Sequence, residues 1–72
     1  MSDFACDQLR LDLEQHITAR TGRRVRNLII DLLPERIILR GQAPSFYVKQ
    51  LAQHGVRDVL PHVNLDNTIA VA

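Results

Sequence analysis

The spacing of apolar residues constrains the fold of this 72-residue chain more than any other feature, because it changes from helical to strand-like and back. Over residues 3–20 an apolar residue recurs every four positions, as one face of an α-helix requires. Asp3 can cap the start of this helix, and Gly22 is a natural stop at its end. The residues of the apolar stripe are Ala5, Leu9, Leu13 and Ile17. The pattern predicts a first helix that buries one face.

The next two segments have the apolar, β-branched composition of strands. They cover residues 25–33 and 37–40. Between them, Pro34 favours a turn and removes a hydrogen-bond donor. We therefore expect a β-hairpin.

Helical spacing returns over residues 45–59, where Ser45 can cap a second helix and Pro61 stops it. We expect residues 41–44 to break the preceding strand. Residues 63–72 alternate between apolar and polar side chains, which predicts a final strand. The apolar stripe of the second helix consists of Val48, Leu51, Ala52, Gly55, Val56 and Val59.

The predicted element order is α-β-β-α-β, within a single domain over residues 1–72. Two amphipathic helices must bury their stripes, and one apolar sheet face is available to cover them. A helix that joins the second and third strands is the usual connection between parallel neighbours. We expect an α+β, two-layer sandwich, with a three-stranded mixed sheet and both helices packed on one of its faces.

Composition excludes several classes of protein. The single cysteine, Cys6, cannot form an internal disulfide, so a disulfide-stapled secreted miniprotein is excluded. The formal net charge of +1 means that any anion binding must come from local clustering. The sequence as written has no signal peptide and no apolar segment that approaches the roughly 20 residues of a membrane span. We expect a cytoplasmic protein as written, or a periplasmic or envelope protein if the chain belongs to a longer precursor.

No residue pattern predicts catalysis, a metal site or a cofactor. The three histidines lack the short ligand spacing of metal sites, and no Cys-x-x-Cys motif is present. A two-layer sandwich of this size has little room for a pocket in which Cys6 could meet a histidine. We therefore expect a protein that is not an enzyme.

Residues 25–71 resemble the BON domain, a small bacterial α-β-β-α-β module. The resemblance lies in the strand residues Ile37-Ile38-Leu39-Arg40-Gly41, in Lys49 and Ala52 of the second helix, and in the closing segment Asn67-Thr68-Ile69-Ala70-Val71. The sequence departs from the family pattern at the hairpin turn, Pro34-Glu35-Arg36, and at Pro61-His62-Val63 before the last strand. The resemblance implies a non-catalytic module that attaches to phospholipid surfaces or to partner proteins, often in the bacterial envelope.

Four arginines within seven residues form the clearest candidate binding site. Guanidinium groups suit phosphate because they offer paired donors, and an anionic phospholipid surface presents many phosphates. The alternative is a solvated helix end whose arginines offset the helix dipole, and we expect Asp31 and Glu35 to neutralise part of the cluster across the hairpin. Nucleic acid is a weaker hypothesis, because the chain has no Gly-x-x-Gly clamp and only one tyrosine. The arginines are Arg20, Arg23, Arg24 and Arg26.

Two isoleucines form a second candidate site. Alternation along the hairpin strands predicts that Ile29 and Ile38 point away from the core, together with Asp31 and Arg40. As cross-strand neighbours they would form the centre of a partner contact or of a homodimer. The alternative is that they are scattered surface apolar residues, which are common.

Overall fold

The computed structural model describes the backbone of residues 2–72 and the side chains from residue 7 onward. It confirms the α+β class and the α-β-β-α-β order. The predicted cap at Asp3 lies outside the described side chains. The elements are α1 (Ser2–Thr21), β1 (Arg26–Leu32), β2 (Ile37–Ala43), α2 (Phe46–Val59), β3 (Leu65–Asn67) and β4 (Ala70–Val71).

Strand β2 is the centre of a mixed sheet. Strand β1 pairs with it in antiparallel orientation, and β3 and β4 pair with its other side in parallel. The single final strand predicted from the sequence is therefore divided in two. Asn67 forms hydrogen bonds at the division: its Oδ1 accepts from the amide of Ile69 at 3.3 Å, and its Nδ2 donates to the carbonyl of Lys49 at 2.9 Å. This side chain ties the end of β3 to the first turn of α2.

The expectation that residues 41–44 break the second strand was wrong, because β2 continues to Ala43. The pairing of β1 with β2 instead shifts by one residue between Arg26 and Ile29, which is a β-bulge in β1. Gly41 faces this bulge with φ at +150°. A Cβ atom there would lie 2.8 Å from the carbonyl oxygen of Arg26, so only glycine allows the strand to pass the bulge.

Both helices pack on one face of the sheet and against each other. At Gly55 a Cβ atom would lie 2.8 Å from the Cα atom of Ile17. The backbones of the two helices are therefore in close contact at this glycine. The predicted cap of α2 is confirmed, since Ser45 Oγ accepts from the amide of Val48 at 3.2 Å. The buried core consists of Leu13, Ile17, Ile30, Ile37, Leu39, Ala43, Val48, Ala52, Val56 and Ile69.

Within the described residues, no helix has both the length and the apolar character needed to cross a membrane.

Candidate anion-binding site

The turn after α1 determines where the arginines point. Gly22 and Arg23 both have φ at +64°, and their amides donate to the carbonyl of Thr18 at 2.9 and 3.3 Å. This left-handed turn satisfies carbonyl groups at the end of the helix. Arg24 completes the cap, because its Nε donates to the carbonyl of Thr21 at 2.8 Å. Only residues 22–25 separate the end of α1 from the start of β1, so the arginines of this turn are held close together along the chain.

Three of the four predicted arginines surround one open depression, which we call the arginine corner. Arg23 and Arg24 come from the turn, and Arg26 begins β1 opposite Gln42 of β2. The depression has a volume of about 440 Å³. Its lining residues are Arg23, Arg24, Arg26, Gln42, Ala43, Pro44 and Ala72. The corner thus lies at the end of the sheet where β1 begins, β2 ends and α2 follows.

The arginine corner has no acidic partner among the side chains that the structure describes. Among the side chains of residues 7–72, no carboxylate lies within 4.0 Å of a guanidinium nitrogen of Arg23, Arg24 or Arg26, and no aspartate or glutamate lines the depression. Arg24 keeps its two terminal nitrogens free of the cap bond, which uses Nε alone. Three exposed guanidinium groups therefore converge on one volume, with donors suited to phosphate oxygens.

Arg20 does not belong to this group. Its Nε and terminal nitrogen donate to the two carboxylate oxygens of Asp58 on α2, at 2.8 and 2.7 Å. The hydrogen bond from Arg20 lowers the pKa of the Asp58 carboxyl, and the same bond raises the pKa of Arg20. His16 Nδ1 lies 3.8 Å from the same carboxylate. Arg20 therefore links α1 to α2, although sequence proximity had grouped it with the other three arginines.

The expected neutralisation of the cluster by Asp31 and Glu35 was wrong. Asp31 accepts a hydrogen bond from Nε of Arg40 at 2.9 Å, on the outer face of the sheet. Glu35 lies in the turn between β1 and β2, at the other end of β1 from Arg26. Asp31 is paired with Arg40 and Glu35 is at the far end of the hairpin, so neither cancels the charge of the arginine corner.

The outer sheet face carries the second candidate pair. Ile29 is 52% exposed, and Ile38 is half-buried. They are not directly opposite each other: Ile29 pairs with Arg40, and Ile38 pairs with Asp31. The Arg40–Asp31 ion pair therefore crosses between the two isoleucines. The two isoleucines are therefore not the direct cross-strand neighbours expected from the sequence, and the ion pair separates them.

A depression at the hairpin end of the sheet gives a contrast in charge. It has a volume of about 520 Å³, and Leu9, Leu33 and Leu60 give it an apolar wall. Glu35 and Arg36 both line it, so charges of opposite sign are present together. In the arginine corner, by contrast, the charged side chains that line the depression are all arginines.

Four residues of the corner were not predicted as site residues from the sequence: Gln42, Ala43, Pro44 and Ala72. Gln42 enters it through the register of β1 with β2, and Pro44 enters it through the return of the chain into α2. Neither residue has a local sequence signal. In the part of the chain that the structure describes, no group of three or more histidine, cysteine or acidic residues is placed to hold a metal ion.

Comparisons of the chain with protein-family models, with curated proteins and with solved structures find no match.

Proposed function

We propose that this chain is a non-catalytic binding module that attaches to anionic phospholipid surfaces through the arginine corner. The observation that carries the proposal is the convergence of Arg23, Arg24 and Arg26 on one open depression without an acidic partner among the described side chains. The resemblance of residues 25–71 to BON domains supports the same function, because that family is thought to attach proteins to phospholipid.

The expected strength of attachment follows from the number of arginines. Each basic residue close to an anionic membrane contributes about 1 kcal/mol, so three contribute about 3 kcal/mol. A dissociation constant of 1 mM corresponds to about 4.1 kcal/mol. Charge alone therefore gives weak and reversible attachment. This attachment must also be sensitive to salt, because the screening length falls from about 10 Å at 0.1 M to about 3 Å at 1 M ionic strength.

The test is co-sedimentation of the protein with vesicles of phosphatidylcholine alone or with phosphatidylglycerol added. We expect binding to the anionic vesicles at low salt, and its loss at high salt. The double variant Arg23→Gln/Arg26→Gln should bind about 30-fold more weakly, which corresponds to about 2 kcal/mol.

The matched control is Arg20→Gln/Arg36→Gln. Both doubles remove two positive charges and so change the formal net charge from +1 to −1. Arg20 and Arg36 are held in ion pairs with Asp58 and Asp66, so this control should retain most of the binding. Equal losses in the two doubles would show that bulk charge, and not the corner, drives attachment. Equal binding to neutral and anionic vesicles would contradict the proposal itself.

A protein contact through the outer sheet face is a second candidate function. The exposure of Ile29 is the observation that favours it, because a half-exposed isoleucine on a sheet face adds apolar area to a contact. The Arg40–Asp31 ion pair divides that face and makes it the weaker candidate.

A further inference from the structure

We propose that Phe46 and Tyr47, at the start of α2, insert into the interfacial region of the same anionic membrane and supply an apolar component of binding. This inference rests on the proposed function, since it concerns the same end of the molecule. It goes further by naming a second recognition element of different chemistry. It also identifies the phosphate source as a lipid bilayer and not as a free phosphate compound.

The two aromatic side chains are the most exposed large apolar groups described in the molecule. Phe46 is 61% exposed and Tyr47 is 63% exposed. They are not needed for the local fold, because Ser45 caps the helix and Val48 supplies the first buried side chain of α2. Packing in the folded protein therefore does not explain these two adjacent aromatic side chains.

Their position places them beside the arginine corner. Pro44 lines the corner, and the aromatic pair follows it by two and three residues. Val71, which is 46% exposed, pairs with Ala43 at the same end of the sheet. This end therefore holds three of the six large apolar residues that the structure describes as exposed. The corner arginines and these exposed apolar side chains therefore belong to the same end of the molecule.

A bilayer surface matches this combination. Tyrosine and other aromatic rings favour the headgroup level, where an apolar body and a polar tip are both satisfied. Lys49 adds a further positive charge, with its Nζ 6.0 Å from the centroid of the Phe46 ring. A weak electrostatic attraction commonly needs a second signal before attachment to a membrane becomes stable. The aromatic pair supplies one.

Stacking on single-stranded nucleic acid also uses arginine with aromatic rings, but the geometry favours a bilayer. Successive bases stack on aromatic rings arrayed along a groove. Here the two rings are on consecutive residues of one helix, so they project about 100° apart around its axis. Among the side chains that the structure describes, from residue 7 onward, Phe46 and Tyr47 are the only phenylalanine or tyrosine rings, so no groove lined by several rings is formed there.

The chain offers a direct probe of insertion, because Tyr47 is its only tyrosine and it has no tryptophan. Its intrinsic fluorescence therefore reports on this one side chain. With phosphatidylglycerol vesicles we expect Tyr47 to become protected from acrylamide in the water. We also expect it to be quenched when the lipid chains carry bromine. Phe46→Ser should weaken binding at low salt about tenfold, equivalent to about 1.4 kcal/mol.

The matched control is Leu11→Ser, which removes an apolar residue that is 47% exposed on α1. It should leave both vesicle binding and the protection of Tyr47 unchanged. If the protein binds anionic vesicles while Tyr47 stays open to acrylamide and insensitive to brominated lipid, insertion is wrong and charge-driven attachment stands. If it does not bind anionic vesicles, both proposals fail. Tighter binding to a single-stranded oligonucleotide than to vesicles would overturn the assignment to a bilayer.

Discussion

Six of the eight arginines of this molecule form two groups with opposite environments. Arg20, Arg36 and Arg40 each donate to an aspartate at 2.7 to 2.9 Å. The three arginines of the corner have no such partner among the described side chains. The two groups have the same chemistry, and Arg20 lies only three residues before Arg23 in the sequence.

The difference shows that pairing depends on what the fold places opposite each residue. Arg40 meets Asp31 across the hairpin, and Arg36 meets Asp66 of the neighbouring strand. Arg26 instead lies opposite Gln42, which carries no charge. A surface ion pair contributes little to stability but removes both charges from interactions with other molecules. The unpaired group is therefore the one that remains available for an anionic partner.

The largest expected effect concerns the bulge beside Arg26. Gly41→Ala should destabilise the fold by about 3 kcal/mol, because alanine is strained at a φ of +150° and its Cβ would lie 2.8 Å from the Arg26 carbonyl oxygen. Gly22→Ala is the matched control. Its φ of +64° is also left-handed, but the nearest atom is the Nε of Arg24 at 3.7 Å, so about 1 kcal/mol is expected. Urea unfolding measures both. Equal losses would show that the bulge is not tightly packed.

A smaller effect is expected on vesicle binding when an acidic side chain is introduced into the arginine corner. Gln42→Glu places a carboxylate opposite Arg26 and makes the pair resemble Arg40 with Asp31. Binding to anionic vesicles should weaken about fivefold, the effect of cancelling one basic residue. Gln8→Glu makes the same change in net charge on an exposed part of α1 and should bind as the wild type does. A similar loss in both variants would remove the distinction between paired and unpaired arginines.

A still smaller effect is expected for a substitution on the outer sheet face. Ile29→Thr keeps a β-branched side chain, and Ile29 is already half exposed, so the change in unfolding free energy should be below about 1 kcal/mol. Vesicle binding should be unchanged. Sedimentation velocity should give the same coefficient for wild type and variant at every protein concentration. A concentration-dependent increase that Ile29→Thr abolishes would favour the protein-contact function over the lipid function.

The smallest expected effect is a change in the pKa of Asp58. Because Arg20 lowers the pKa of Asp58 in the folded state, the pair stabilises the fold above the ordinary aspartate pKa of 3.8, and this contribution is lost as the pH falls through the lowered value. NMR titration of the Asp58 carboxyl should therefore give a pKa below 3.8 in the wild type. In Arg20→Gln the pKa should rise towards the ordinary value. An unchanged pKa in that variant would mean that Arg20 is not paired in solution and belongs with the corner arginines.

Much of the fold could be predicted from local patterns. The helical spacing of apolar residues predicted both helices, and Ser45 predicted the start of α2. The predictions failed where one element acts on another. Gly41 was interpreted as a strand break, because a lone glycine gives the same local signal whether the chain turns or passes a bulge on its neighbour. The final strand was expected to be continuous, because nothing local shows that the Asn67 side chain bonds at its middle.

The candidate site was predictable only in part. The arginine run was visible in the sequence, but its division into one paired and three unpaired members was not. Asp58 is 38 residues from Arg20, and no local rule predicts that these side chains meet. The place of Phe46 and Tyr47 near the arginine corner follows from the return of the chain from β2 into α2, which no local pattern gives.

Local patterns are enough to specify the element order, the two apolar helix faces and the four arginines around one turn. These properties depend on backbone preferences and on spacing within a few residues, which act before distant segments meet. Which charges are cancelled, and which side chains share a surface, is set by tertiary contacts. Both depend on strand register and helix packing, because an ion pair or a common surface requires atoms from distant parts of the chain to lie within a few ångströms.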